Sequence, residues 1–463
     1  MIRYTFLVLF LVGVAITGLR NWFAAACALL FLTVFAQHPS MPGRLMEIPG
    51  ANPWNLVVVL IFAGWVSQRR NDPRGAPIPK VMVVLLVAYV MMVIAAGLVP
   101  IVRPETILNA WKIGIQPTDL LINTMIDPLK FVVIGVLFFD GAKTRARIRW
   151  TLYSIVGSSM LYGLMMFKTI GPRILHIDFE DARRLTDKLV GLYANDMAEL
   201  MAFTIWAAVA ISFILPTWVL KTTNILGAAV SLVPFEALKS RAGYLAFGAA
   251  GIALGVLRWR KILIALPIGV AIAIVALPDL RDRIFTGVGE QGGADWNEVS
   301  AGRMTHIWPA CIRQISRDPL IGVGRYAIRR TEACYEIQAA EGVVPTHPHC
   351  MYLEILMDCG VVGLAICLTA YWGIFRASRT LMVLKGDPLI RTLGTCAVIA
   401  MVCELSAGIA GSSFFPSQSK LPFLCLWGTA LRAALELKQR PVEFQEALRH
   451  ESPAALGGAF VPA

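Results

Sequence analysis

Residues 81–99 read VMVVLLVAYVMMVIAAGLV, nineteen positions without a charge. As a helix this stretch rises about 28 Å, close to the roughly 30 Å of hydrocarbon in a bilayer. Residues 261–277, KILIALPIGVAIAIVAL, repeat the pattern after a single lysine. Working outward, similar apolar runs fall near 4–19, 22–38, 54–68, 120–140, 148–168, 193–215, 218–237, 242–257, 350–375, 389–412 and 420–437, so the spacing predicts 12 or 13 crossings. Composition agrees. Of 463 residues 57% are hydrophobic and 16% charged, with a mean hydropathy of +0.65, whereas a soluble domain is nearer a quarter charged. The expected fold class is an all-α polytopic membrane protein, with a transmembrane bundle over 1–277, a loop domain over 278–349, further transmembrane helices over 350–437 and a polar tail over 438–463. The first apolar run meets Arg20 and another apolar run rather than a small-residue cleavage site, so no signal peptide is expected.

Charge sets the orientation. Short connectors carry Arg69, Arg70 and Arg74; Lys143, Arg145, Arg147 and Arg149; Arg258, Arg260 and Lys261; and Arg376, Arg379, Lys385 and Arg391. All four fall on one side of the predicted spans, which the positive-inside rule makes cytoplasmic. Segments 100–119, 169–192, 238–241 and 278–349 then face outward. The net charge of +12 is partly this topology signal, and no motif points to nucleic acid.

Segment 278–349 is too polar to span a bilayer and too long for an ordinary helix connection. It holds eight arginines and no lysine: Arg281, Arg283, Arg303, Arg313, Arg317, Arg325, Arg329 and Arg330. Guanidinium keeps its charge and meets phosphate oxygens two at a time, so such a set suits a held diphosphate. The loop also has nine Asp and Glu, so a solvated, charge-balanced surface is the competing reading. Gly/Asp-rich residues 287–298 come first, then an amphipathic helix from Arg303 to Ser316 and a turn at Asp318–Gly324. Cys311, Cys334 and Cys350 lie in or beside this segment, where one disulfide could form; the other six cysteines read as small buried hydrophobes.

The sharpest chemical text is His347-Pro348-His349-Cys350 at the mouth of an apolar helix. A neutral imidazole there can take a proton from an attacking hydroxyl. A hydrogen-bonded structural histidine is the plainer alternative, and a lone His-x-His is a weak metal signal. Proline holds the residue before it extended, so the two rings are expected to point apart. Arg241 lies between two apolar spans on the outer side, where it could simply snorkel to the interface. Arg183 and Arg184 precede GLYAND, in which Asn195 and Asp196 either cap a helix or line the site, with Glu199 a turn deeper. Intramembrane charges such as Lys130, Glu199 and Glu404 are expected to face the bundle interior.

GLYANDMAE, SRAGYLAF, SAGRMTHIW with DPLIGVG, and HPHCMYLEILMDCGVVGLA stand in that order over residues 180–375. Together they resemble the O-antigen ligase and polymerase family of bacterial membrane glycosyltransferases. The family pattern is His, then Asn, Ser or Gln, nine residues, then Gly-x-x-Gly. His349, Gly360 and Gly363 match it, while Cys350 departs from it. The resemblance implies a GT-C-like helical bundle with a periplasmic loop domain in the bacterial inner membrane. It implies metal- and cofactor-free transfer of a glycan from undecaprenyl diphosphate to an acceptor sugar hydroxyl, lipid A–core in a ligase. By position His349 would act as catalytic base, and Arg241, Arg303 and Arg184 would bind the pyrophosphate. His347, Arg183, Arg325, Asn195 and Glu199 are further candidates. A polymerase or a protein O-glycan ligase would share these motifs. A transporter of lipid-linked glycan, or a scaffold without chemistry, is the reading from another class.

Overall fold

The computed structural model describes residues 2–36, 38, 39, 41, 42, 52–72, 75–107, 116–171, 177–285, 300, 302–411 and 414–439. Arg74, His176, His450, the Gly/Asp-rich residues 287–298 and the tail past 439 lie outside them. Among the described residues there are helices and no strand. Lipid cannot satisfy a free peptide group, so a spanning chain must close its hydrogen bonds within each segment, as a helix does. Each predicted apolar run is a helix. The protein is an all-α, polytopic membrane protein.

Among the described residues, six helices are both long and apolar enough to cross a bilayer: Lys80–Val102, Pro117–Gly141, Ala194–Ser212, Trp218–Ala237, Met351–Met382 and Pro388–Ala407. Shorter apolar helices include Trp22–Phe35, Arg241–Leu257 and Ile262–Ala276. Pro388–Ala407 and Ala194–Ser212 are mostly buried, each packed by several helices, whereas Lys80–Val102 turns most of its surface outward. The buried pair forms the centre of the bundle, with Arg241–Leu257 against both.

The four basic connectors meet at one end. Asp72 accepts from Arg147 at 2.7 Å and lies 3.9 Å from Lys143, joining the first two connectors. Arg145 pairs with Asp387, and Arg258 donates to the Arg391 carbonyl at 3.0 Å, which ties in the other two. Arg241 and Arg258 flank a 17-residue helix, about 25 Å long, so Arg241 lies at the far end of the bundle. There Arg183 donates to the Leu238 carbonyl, Arg283 to the Lys239 carbonyl and Arg330 to Thr106, bringing the predicted outer segments together.

Intramembrane charge is paired. Lys420, in the turn just before the last helix, bridges Glu199 at 2.8 Å and Glu404 at 2.7 Å, all three groups buried and the two carboxylates on different helices. Lys130 pairs with Asp127 at 2.6 Å and lies over the Trp54 ring. All nine cysteines are free and buried, so the disulfide that the outer cysteines suggested is not formed; Cys311 and Cys334 are packed as apolar side chains of the small helices there.

Candidate active site

The text from Asp318 to Gly324 and the Gly-x-x-Gly motif explain each other. The Met351–Met382 helix breaks at Gly360, which has φ 65° and ψ −167°. A break orphans the amides after it and the carbonyls before it. The loop takes up both sets. Val361 and Val362 N–H groups donate to the carbonyls of Pro319 and Leu320, and Val323 and Gly324 donate to those of Met357 and Asp358. A Cβ at Gly360 would overlap the Leu320 carbonyl, so only glycine admits the loop. Arg325, the next residue, is buried between Glu354 at 3.0 Å and Asp358 at 3.1 Å, with its guanidinium 3.9 Å from the Phe415 ring centroid. Its role in this arrangement is to hold the loop onto the helix whose first turn follows His349.

Just before that helix, Trp308 donates to the Pro348 carbonyl at 3.1 Å and Met351 N–H to the Gly408 carbonyl at 2.8 Å, clamping the turn from both sides. His349 sits in the left-handed region at φ 53°, a rare conformation for a side-chain-bearing residue and one that gathers at functional sites. This corrects the expectation that the rings point apart. Proline does restrict His347, but the left-handed turn at His349 folds the second ring back, leaving the centroids 4.0 Å apart. The His349 N–H donates to His347 Nδ1 at 3.2 Å, and His349 Nδ1 is buried without a hydrogen-bond partner. Burial first, then His347 and Arg303, push the His349 imidazole down to about 3, so it is neutral at any physiological pH.

Arg303 begins a short π-helical turn after Gly302, which has φ 78°. Burial lowers the guanidinium's ordinarily very high pKa, and Arg241, Arg183 and Arg283 lower it further. Four arginines from separate segments therefore feel one another beside His349. Local chemistry fixes each. Ser240 caps the Arg241–Leu257 helix through Gly243 N–H and donates to Asn195 Oδ1 at 2.8 Å, seating Arg241 in the first turn. Lys239, two residues earlier, is left-handed at φ 42° and its carbonyl accepts from Arg283, while Arg241 Nε donates to the Arg283 carbonyl at 3.3 Å. The Arg183 and Arg283 guanidiniums both stack on Phe179, 5.1 Å and 5.3 Å from its centroid.

The structure thus brings together His349, His347, Arg241, Arg303 and Arg183, with Arg283 and Phe179 added. Asn195 supports Arg241 through Ser240 rather than capping its own helix, whose N-cap position is Tyr193. Arg184 points away, exposed and 3.8 Å from Asp181. Arg325 and Glu199 are buried in ion pairs. Arg283 was one of eight loop arginines with nothing in the sequence to single it out, and Phe179 carries no local motif.

A cavity of about 790 Å³ reaches the histidine turn. His347 and Pro348 line it; His349 and the arginine cluster do not. Asp196, Glu354 and Asp358 stand on its wall beside Arg325, Arg329, and the Lys130–Asp127 pair. Among the described residues, no three His, Cys, Asp or Glu side chains are placed to hold a metal ion.

Residues 226–368 match the family model described as O-antigen ligase. Over this stretch the chain is similar to the O-antigen ligase family. The matched stretch holds Arg241, Arg303, both histidines and Gly360, and ends inside the long helix. No curated protein matches the chain.

Proposed function

We propose that the protein is an O-antigen ligase-type glycosyltransferase of the bacterial inner membrane. In this reading it moves a glycan from undecaprenyl diphosphate to a hydroxyl of lipid A–core at the periplasmic face. The observation that carries the reading is the convergence of Arg183, Arg241, Arg283 and Arg303 on a buried neutral histidine, at the end of the bundle opposite the basic connectors.

The anomeric C–O bond to the diphosphate breaks and a bond from the acceptor oxygen to the same carbon forms. The departing diphosphate is a weak base, so it needs charge stabilisation rather than a proton. Guanidiniums fixed by capping, stacking and backbone contacts supply it without reorganising. The acceptor hydroxyl must lose its proton, and unprotonated His349 is the acceptor for it. In the free enzyme burial, then His347 and Arg303, make that imidazole a weak base. A bound diphosphate brings opposite charge beside Arg303 and His349, which raises the imidazole's proton affinity when the proton has to move. Donor binding and base activation are thereby coupled.

The test is transfer by purified protein given lipid-linked glycan and, in separate reactions, lipid A–core, a second lipid-linked repeat unit or a protein hydroxyl acceptor. Glycosylated lipid A–core is expected from the natural chain, and none from His349→Ala or Arg241→Ala. Product from only the second or third acceptor would reassign the protein to a polymerase or protein ligase. Retained transfer by either variant would remove that residue from the mechanism, and loss of transfer with EDTA would contradict metal-free chemistry.

A further inference from the structure

The arginine cluster leaves the cavity beyond His347 unexplained. Its wall differs from the cluster in kind. The lining carries four carboxylates against three cations, and Arg325 is already held by two of the carboxylates. No excess positive charge remains there for a diphosphate. What the wall offers is hydrogen bonding beside an aromatic ring. Tyr193 is 67% exposed while lining it, an unusual degree for an aromatic residue in a cleft. Asn123, also exposed on this wall, stands in the π-helical turn Ile122–Ile126, a widened backbone frequent at functional sites. Tyr326 lines it with a left-handed φ of 60°. Glu354 Oε2 is buried on the same wall with no hydrogen-bond partner.

His347 completes the set. Its Nδ1 accepts from the His349 N–H, so the neutral ring carries its proton on Nε2 and is a donor there. An amide that donates and accepts, an aromatic face, an orphaned carboxylate oxygen and a ring donor suit a ligand of hydroxyls and C–H faces. The volume lies within the range of small-ligand pockets.

We infer that this cavity binds the acceptor glycan, with sugar hydroxyls held by Asn123, Glu354 and His347 and a ring face on Tyr193. The inference rests on the glycosyl-transfer reading above. Both substrates must be bound at once. The anionic part of the donor belongs with the arginines near His349, which leaves the charge-balanced cavity lined by His347 to the molecule that brings the hydroxyl.

Tyr193→Ala and Asn123→Ala alter exposed side chains and test the wall without emptying the core. With purified full-length protein, each is expected to raise the acceptor KM about five- to tenfold, the size of one or two lost neutral hydrogen bonds. The donor KM is expected to stay within twofold. An unchanged acceptor KM in both variants overturns the inference, and a rise in donor KM instead assigns the cavity to the donor's glycan. A second measurement needs no transfer: equilibrium binding of deacylated lipid A–core oligosaccharide to the natural protein without donor. Binding that Tyr193→Ala weakens supports the cavity even if no transfer is seen, and no binding of this oligosaccharide overturns it. Failure of the cavity and failure of the glycosyl-transfer reading are therefore separate results.

Discussion

Arginines at the two ends of the bundle keep different company. At the connector end Arg147 meets Asp72 at 2.7 Å and Arg145 meets Asp387, each closing two connectors onto one another. At the other end Arg183, Arg241 and Arg283 are held by backbone carbonyls and the Phe179 ring and feel Arg303 electrostatically, with one carboxylate, Glu180, 3.8 Å from Arg183. A guanidinium beside a carboxylate is satisfied by the fold. Like charges gathered at half-buried positions raise the energy of the empty protein and lower it when an anion arrives. On the proposed function, the same residue type is structural at one end and holds a ligand at the other.

Substitutions break this comparison most sharply at the site end. Arg303→Ala is expected to lower kcat/KM for transfer about 10²–10³-fold with little change in melting temperature, because it removes a donor to the developing charge. Arg147→Ala is expected to do the reverse, lowering the melting temperature while the protein that remains folded transfers at near-normal rate. Equal effects of the two on transfer would erase the distinction between the ends. Gly360→Ala probes the support behind the histidines. The added methyl meets the Leu320 carbonyl and must expel the 318–324 loop, so both thermal stability and activity are expected to fall together. The smallest effect belongs to Arg184→Ala, exposed and facing Asp181, with transfer within about twofold of normal. A large loss there would place Arg184 in the cluster after all.

Acidity sharpens the account of the base. Burial first, then His347 and Arg303, push the His349 imidazole in the free protein down to about 3. The acid limb of kcat/KM attributable to His349 is therefore expected well below pH 6.5. The limb of kcat, read with the diphosphate bound, is expected higher. Identical limbs near pH 6.5 would mean that neither burial nor Arg303 acts on this histidine as described.

The helices were legible in the sequence because apolar length alone dictates them, and the common end of the four connectors followed from counting Lys and Arg. His349, Arg241 and Arg303 were legible through their motif text. The rest depended on tertiary placement. Arg183 and Arg184 are neighbours in sequence, but successive helical residues differ by 100° and only one reaches the cluster. Arg325 looked like the other loop arginines until Glu354 and Asp358 closed around it. The approach of the two histidine rings came from a single left-handed residue, which no propensity predicts for histidine.

The most direct measurement is equilibrium binding of undecaprenyl diphosphate to purified protein in lipid nanodiscs, comparing the natural chain with Arg241→Ala, Arg303→Ala and Arg147→Ala. The account predicts affinity at least tenfold weaker for each of the first two and unchanged for the third. Equal affinity across all four proteins would contradict it.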